Sequence, residues 1–369
     1  GLLFASLPHL GRADLLDEWD LRNPLPTGNN LSSIAFGHGL HVAVGNAGTI
    51  LTSPDGTNWT RRASGTNGGF SGIVFGGGQF VAVGAGVVKT AGFPPGMIMT
   101  SHDGMAWTSR VSNATRPLFS VTYGGGRFVA VGVSGIAATS TNGVDWSLAT
   151  IAGLSPARGV GFGNGLFVAV GQGGALATST NGTSWTPRNS ATDITLFCVT
   201  YGHGLFVAAG GAGGTDSPII TSPDGVTWTP RISGVTGRIF GCSYTGSRFV
   251  AVSVGSIDTA LVSSDGMNWN SRAVSFSGLG VGPGNSMFVA VGEWGAIFTS
   301  PEGENWSRQS SEPLYGPPTD MVYGNGLFVW PAGGRVLTSP DGSEWTAQTS
   351  GISEFDALDG IAFGGLFVA

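Results

Sequence analysis

One phrase, Ser-x-Asp-Gly-x-x-Trp, recurs along most of the chain and restricts the possible folds more than any other feature. Its tryptophan returns at intervals of 37 to 48 residues, about 41 on average. The eight copies end at Trp59, Trp107, Trp146, Trp185, Trp228, Trp269, Trp306 and Trp345. A period of this length indicates a fold that repeats one small supersecondary unit.

Each unit contains four short apolar segments, which we call strands A to D. Strand A ends in an aromatic residue and a glycine turn, and strand B reads Phe-Val-Ala-Val-Gly, as at residues 167–171. Strand C ends in Thr-Ser, and strand D follows the tryptophan. The Asp-Gly and Asn-Gly turns supply the positive φ angles of tight hairpins. Since no unit shows a 3.6-residue apolar period, the pattern predicts an all-β propeller of four-stranded antiparallel blades.

The two ends of the sequence predict how the ring closes. Residues 1–25, which include Trp19, resemble strands C and D, whereas residues 358–369 resemble strands A and B. Together they would form a split closing blade, and 369 residues divided by about 41 gives nine units. We therefore expect one domain, residues 1–369, folded as a closed nine-bladed propeller. If the first residues are a tail, eight blades remain.

Composition excludes several classes of protein. The 65 glycines follow no collagen-like period, and 41% apolar residues are too many for a disordered chain. No apolar run approaches the roughly 18 residues of a membrane-spanning helix. A net charge of −6 argues against general nucleic-acid binding. The low share of charged residues, 10%, favours an extracytoplasmic location.

Two cysteines, Cys198 and Cys242, lie three and two residues before the strand A aromatic of successive units. Side chains alternate between the faces of a strand, so the two thiols point to opposite faces. Two cysteines are also too few for a disulfide framework. We therefore interpret both as free, buried thiols.

The repeated phrase resembles the Asp-box of BNR-type propellers, although the usual Asp-box has one more residue between Asp and Gly. Its acidic position is filled by Asp55, Asp103, Asp224, Asp265 and Asp341, and by Asn142, Asn181 and Glu302 in the other copies. The class resembled includes bacterial photosystem II assembly factors, secreted repeat proteins and sialidases. The resemblance implies a propeller with structural hairpins, and it selects no single function.

Candidate binding residues come from the loops that differ between units. In a propeller the A–B and C–D turns share one face, and the B–C and D–A loops share the other. Here the second set varies, as at residues 85–95 and 211–216. Since loops on a rigid scaffold carry function, we expect the binding surface on the B–C/D–A face. The candidates are Phe93, Trp294, Tyr315, Phe355, Arg116, Arg158 and Arg238.

The sequence shows no convergent catalytic set. The resemblance to sialidases would imply an arginine triad, but Arg116, Arg158 and Arg238 stand at different offsets from strand A. No P-loop, nucleophile elbow or His-x-x-x-His pair occurs, so we expect no cofactor and no metal site.

Three functions remain open. The first is a non-enzymatic extracytoplasmic scaffold that binds a protein or a glycan. The second is a carbohydrate-active enzyme of the sialidase or glycosidase type. The third is a structural subunit that polymerises head to tail, because the C-terminal half of one split blade would add as strands to the N-terminal half of the next.

Overall fold

The computed structural model describes residues 27–87, 92–214, 216–284 and 287–309, and parts of strands between residues 322 and 368. The chain divides into two compact units, one of which comprises residues 25–313. Within that unit the described residues form seven antiparallel sheets of four strands each, in the order A–B–C–D. The predicted four-stranded blades and the propeller fold are therefore confirmed.

The strands follow the repeat closely. Blade 1 is β1 (Leu31–Gly37), β2 (Leu40–Gly45), β3 (Ile50–Ser53) and β4 (Thr60–Arg62), and blade 2 is β5 (Gly69–Gly76), β6 (Gln79–Ala85), β7 (Gly96–Ser101) and β8 (Thr108–Arg110). Blade 3 is β9 (Leu118–Gly124), β10 (Arg127–Gly132), β11 (Ile136–Ser140) and β12 (Ser147–Thr150), and blade 4 is β13 (Ala157–Gly163), β14 (Leu166–Gly171), β15 (Leu176–Ser179) and β16 (Thr186–Arg188). Blade 5 is β17 (Leu196–Gly202), β18 (Leu205–Gly210), β19 (Ile219–Ser222) and β20 (Thr229–Arg231), and blade 6 is β21 (Arg238–Tyr244), β22 (Phe249–Val254), β23 (Thr259–Ser263) and β24 (Asn270–Ala273). Blade 7 is β25 (Gly278–Pro283), β26 (Phe288–Gly292), β27 (Ile297–Ser300) and β28 (Ser307–Arg308). Short 3-10 turns join strands B and C at Val133–Gly135, Gln172–Gly174 and Glu293–Gly295.

The ring closes between blade 7 and blade 1, so the expected nine blades, and the alternative of eight, are wrong. The Met287 side chain packs beside Gly56, and the Trp294 amide donates to Asn30 Oδ1 at 2.9 Å. One apolar cluster joins the two blades: Leu31, Ile34, Ala43, Leu51, Val289, Val291 and Ile297. The number of blades depends on the angle between neighbouring sheets around the axis. The sequence shows only how many copies of the unit the chain contains.

The remaining described strands belong to the second unit. They form a four-stranded sheet of β29 (Val322–Gly324), β30 (Leu327–Ala332), β31 (Arg335–Ser339) and β32 (Thr346–Gln348), and a pair, β33 (Ala362–Phe363) and β34 (Phe367–Val368). Residues 1–25, Asp341 and Trp345 lie outside the described residues. The pairing of residues 1–25 with 358–369, and the head-to-tail polymer that depends on it, stay predictions.

The core consists of apolar layers between neighbouring blades. Strand B supplies most of it, because both of its faces are covered; Phe167, Val168, Ala169 and Val170 are all fully buried. Each such phenylalanine contributes roughly 1.5–3 kcal/mol through burial. Together these layers hold the seven A strands, which lie nearest the axis of the ring, in fixed positions.

The glycine that ends strand A is required by close packing between blades. A Cβ atom on Gly163 would overlap the ring of Tyr201 from the next blade, and Gly76 has the same relation to Tyr123. The strand A aromatic is therefore an inter-blade contact. The turn that follows uses Asn164 and Gly165 at φ 48° and 73°, the positive angles that Asn-Gly predicts.

The C–D turns are closed by their own side chains. In blade 1, Ser53 Oγ accepts from the Gly56 amide at 2.8 Å, and Asp55 Oδ1 accepts from the Thr57 and Asn58 amides at 2.8 Å. The hydrogen bonds from Asn58 and Thr57 hold the pKa of Asp55 well below its usual range. In all seven blades the tryptophan Nε1 donates to the carbonyl of the turn glycine at 2.9–3.1 Å. The phrase thus encodes a self-contained hairpin.

Cys198 and Cys242 form a disulfide between blades 5 and 6, with Cα atoms 5.9 Å apart. The interpretation of both as free thiols is therefore wrong. Their side chains do leave opposite faces of their strands, but the facing surfaces of two neighbouring blades are opposite faces. That arrangement brings the two sulfur atoms together.

Candidate binding site

A cavity of about 340 Å³ lies on the axis of the ring and is lined by strand A of all seven blades. Each of these strands contains a β-bulge near its first residues, where one residue has no partner in strand B. A bulge turns the extra side chain away from the regular alternation. The seven bulge residues, which we call the collar, are Ser32, Ser71, Phe119, Arg158, Phe197, Phe240 and Leu279.

The collar lies at the mouth of the cavity on the B–C/D–A face. Strand A runs from the D–A loop to the A–B turn, and the bulge falls at its second or third residue. The opposite face is held by contacts between A–B and C–D turns, such as Gln79 Nε2 donating to the Asn142 carbonyl at 2.8 Å. The binding face expected from loop variation is therefore also the face on which the collar opens.

Aromatic side chains dominate one side of the collar. The Phe197 and Phe240 rings from blades 5 and 6 lie 4.9 Å apart at an angle of 45°. The Arg158 guanidinium lies over the Phe119 ring, with its central carbon 4.6 Å from the ring centre, a favourable cation–π contact. Ser32 and Ser71 from blades 1 and 2 complete the ring with hydroxyl groups. The mouth is thus apolar and cationic on one side and polar on the other.

Arg158 carries the one charge among the lining residues of the cavity that the structure describes. Its Nε atom is buried, and no described residue accepts a hydrogen bond from it. Burial lowers the pKa of the Arg158 guanidinium, but a guanidinium stays protonated in proteins. The mouth therefore holds a positive charge without a counter-ion among the described residues.

Below the collar, side chains of strand A link three pairs of neighbouring blades, namely blades 1 and 2, 3 and 4, and 5 and 6. Ser33 Oγ accepts from the Ile73 amide of the next blade at 3.3 Å, and Ser120 Oγ accepts from the Val160 amide at 3.3 Å. The Cys198–Cys242 disulfide occupies the same position between blades 5 and 6. These links hold the collar residues at fixed positions.

The structure separates the three candidate arginines. Arg158 lines the cavity, whereas the Arg116 guanidinium lies 3.7 Å from the ring centre of Phe93, in the B–C loop of blade 2. Arg238 Nη2 donates to the Ala212 carbonyl at 3.3 Å, in the B–C loop of blade 5. Phe93 stays 67% exposed.

Trp294 stands at the tip of the 3-10 turn of blade 7 and is 49% exposed. Its φ is 57°, a left-handed conformation that costs a bulky residue free energy. At the same point of the turn, blade 4 has Gly173 at φ 63°. Tyr315 and Phe355 lie outside the described residues, and binding by any of these seven residues stays a prediction.

Sequence reasoning missed six of the seven collar residues and found Arg158. A signal was present, because every collar residue stands four positions before the end-of-strand residue that is aromatic in blades 1 to 6. Phe119, Phe197 and Phe240 share this offset from Tyr123, Tyr201 and Tyr244. Regular alternation along strand A would place each collar side chain on the same face of the blade as the aromatic residue four positions later. The bulge shifts this alternation, so the collar side chain lines the cavity.

The described lining of the cavity offers no acid–base pair. It contains neither Asp nor Glu, whereas most glycoside hydrolases place two carboxyl groups about 5–10 Å apart. Across the described ranges, no group of three or more His, Cys, Asp or Glu residues could hold a metal ion. The part of the chain that the structure describes also contains no helix with the length and hydropathy to span a membrane.

Comparison with solved structures finds propellers. A structure described as YCF48 bound to D1 peptide superposes with a TM-score of 0.57 at 16% identity, over 79% of this chain and 96% of that one. The GH74 enzyme of Niastella koreensis gives 0.63 at 14% identity, over 91% and 68%. PorZ, a surface component of the type-IX secretion system of Porphyromonas gingivalis, gives 0.55 at 14% identity, over 88% and 46%. No family model and no curated protein matches the sequence. At these identities the likeness concerns the fold alone.

Proposed function

We propose that this protein is a non-enzymatic extracytoplasmic scaffold that binds a protein partner on its B–C/D–A face. The collar is the observation that carries the proposal. It gathers Phe119, Arg158, Phe197, Phe240 and Leu279 at one opening. Aromatic residues and arginine are the types enriched at the centres of protein interfaces.

Rigidity supports the same role. The collar side chains project from strands rather than from loops, and those strands are fixed by the buried layers between blades. A preformed site loses little conformational entropy when a partner binds. Phe93, Arg116 and Trp294 lie on the same face and would form the rim of the interface.

The likeness to YCF48, described with a bound D1 peptide, supports a protein or peptide partner over a glycan. The disulfide supports the extracytoplasmic location, because disulfides persist in oxidising compartments. The self-contained C–D hairpins support the interpretation of the phrase as a shortened Asp-box of a BNR-type propeller. A bacterial surface or secreted protein is what that resemblance implies.

A selection from a displayed peptide library on the immobilised full chain tests the proposal. Peptides that bind the wild type are expected to lose binding to the double variant Phe197→Ser, Phe240→Ser. The matched control is Val226→Ser, Met267→Ser, which removes apolar groups that are 41% and 43% exposed on the opposite face of the same two blades. Peptides that ignore the collar variant and lose binding to the control variant would refute the proposed face.

A further inference from the structure

Arg158 is a cation held where a cation is costly. Its guanidinium lies against Phe119, its Nε atom is buried, and no described carboxylate or carbonyl accepts from it. A buried donor without a partner lowers stability. A ligand that brings an anionic oxygen to the guanidinium therefore supplies the counter-ion that the described residues lack.

The surroundings of Arg158 define the rest of that ligand. The paired rings of Phe197 and Phe240, in the two blades that follow, line the same cavity as the guanidinium. Leu279 continues this surface into blade 7. A group that satisfies both features has an anionic oxygen pair next to an apolar side chain.

We propose that the collar takes an acidic side chain of a protein partner, an Asp or Glu flanked by apolar residues, and that Arg158 is the specificity-determining residue. This inference rests on the proposed function and deepens it. The planar guanidinium donates two parallel hydrogen bonds to a carboxylate. The flanking apolar residues cover Phe197 and Phe240.

Two observations favour a side-chain carboxylate over other anions. A single guanidinium lines the described cavity, which matches the one charge of a carboxylate, whereas phosphate groups are recognised by arginine clusters. Arg158 also lies in the collar, at the mouth, and not at the base of the cavity. A side chain on the surface of a partner reaches it without a chain end having to enter the ring.

Four N-acetylated peptides test the inference with the full chain, and all but the third are amidated at the C-terminus. The first is a pentapeptide with Glu between Leu and Phe, and the second has Gln in place of Glu. The third is the Gln peptide with a free C-terminal carboxylate, and the fourth is a scrambled peptide without apolar neighbours beside the Glu. Binding is measured by isothermal titration against the wild type and the variants Arg158→Gln, Arg158→Lys and Arg61→Gln. Arg61 is an exposed arginine of an outer strand, so its variant makes the same change of charge away from the collar.

The wild type and Arg61→Gln are expected to bind the Glu peptide about tenfold or more tightly than the Gln peptide. Arg158→Gln is expected to bind both equally, and Arg158→Lys to keep part of the preference, because lysine retains the charge without the planar donor pair. A single cooperative thermal transition in each variant shows that it is folded.

Other outcomes overturn the inference in distinguishable ways. If wild type binds the Glu and Gln peptides equally and the Phe197→Ser, Phe240→Ser variant binds neither, the collar is a binding site but Arg158 selects no acid. If the free C-terminal carboxylate alone gives Arg158-dependent binding, the ligand is a chain end. If none of the probes binds, the acidic-ligand inference fails, and the library selection still decides the proposed function.

Discussion

His41 occupies the position in strand B where the other six blades of the ring carry phenylalanine. Its side chain is fully buried, and neither ring nitrogen has a hydrogen-bond partner among the described residues. Burial lowers the pKa of His41, and the carboxylate of Asp55 opposes this in part. The neutral imidazole therefore replaces an aromatic ring, and protonation would place between blades 1 and 7 a buried charge that Asp55 offsets only in part.

We predict that His41→Phe removes a pH-dependent loss of stability. Since the folded pKa of His41 is depressed, its neutral form contributes stability that is present above the unfolded value, about 6.5, and lost as pH falls below it. Urea unfolding at pH 7.5 and at pH 5 should show the variant gaining on wild type at the lower pH. His203→Asn, which changes an exposed turn, is the control, and a stability difference between wild type and His41→Phe that does not vary with pH would contradict the prediction.

Gly163 shows why a repeated residue need not be a turn residue. It ends strand A, and a Cβ atom there would overlap the Tyr201 ring. We predict that Gly163→Ala lowers the free energy of unfolding by about 1–3 kcal/mol, the usual range for overpacking. Gly69→Ala, in an inner strand where the new Cβ would meet Asn46 Oδ1 at 3.7 Å, should be nearly neutral. Equal urea midpoints for the two variants would refute this reason.

At the scale of the element, one inter-blade link appears in two chemical forms. Blades 1 and 3 use a serine hydroxyl that accepts from the backbone of the next blade, and blade 5 uses a disulfide to blade 6. Cys198 stands where blade 3 has Ser120, and Cys242 where blade 4 has Val160. The Ser120–Val160 pair of blades 3 and 4 therefore shows which residues could replace the two cysteines.

We predict that Cys198→Ser, Cys242→Val folds and is less stable than the oxidised wild type. The crosslinked residues are 44 apart, so the loss of chain constraint costs about 4 kcal/mol. A reducing agent should lower the urea midpoint of wild type toward that of the variant and leave the variant unchanged. A variant as stable as the oxidised protein would show that the disulfide adds no stability.

The elements themselves were predictable because their signals are local. The phrase at residues 53–59 contains the serine, aspartate, glycine and tryptophan that close the C–D turn, and the strands lie between such turns. The collar was not predictable in the same way, because the bulge at Phe197 breaks the alternation on which facing is inferred. The disulfide was missed because Cys198 and Cys242 lie on the facing surfaces of two neighbouring blades. Alternation within one strand does not predict which surfaces of two blades face each other.

At the scale of the whole molecule, the number of copies in the sequence and the number of blades in the ring are separate quantities. The number of copies can be counted in the sequence, but closure of the ring depends on the angle between successive packed sheets. The apolar cluster of Leu31, Ile34, Val289 and Val291 completes the ring after seven blades. The repeat alone contains no measure of that angle.

We predict that residues 25–313 fold alone as a cooperative unit. A shorter fragment, residues 25–277, lacks blade 7 and exposes the faces of blades 1 and 6 that it covers. It should lose cooperative unfolding in urea and bind a dye for exposed apolar surface. If residues 25–313 fail to fold while the full chain does, closure by seven blades alone is insufficient.

The bulge in each inner strand has a consequence for how such a protein changes over evolutionary time. The extra residue takes part neither in strand pairing nor in the layers between blades, and serine, arginine, leucine and phenylalanine already occupy it in one ring. If the collar binds a partner as proposed, mutations at these positions would change ligand preference and leave the ladder of strand A and strand B intact. Paralogues with the same frame and different collars would recognise different partners, and a combinatorial library restricted to these codons would explore that diversity in the laboratory.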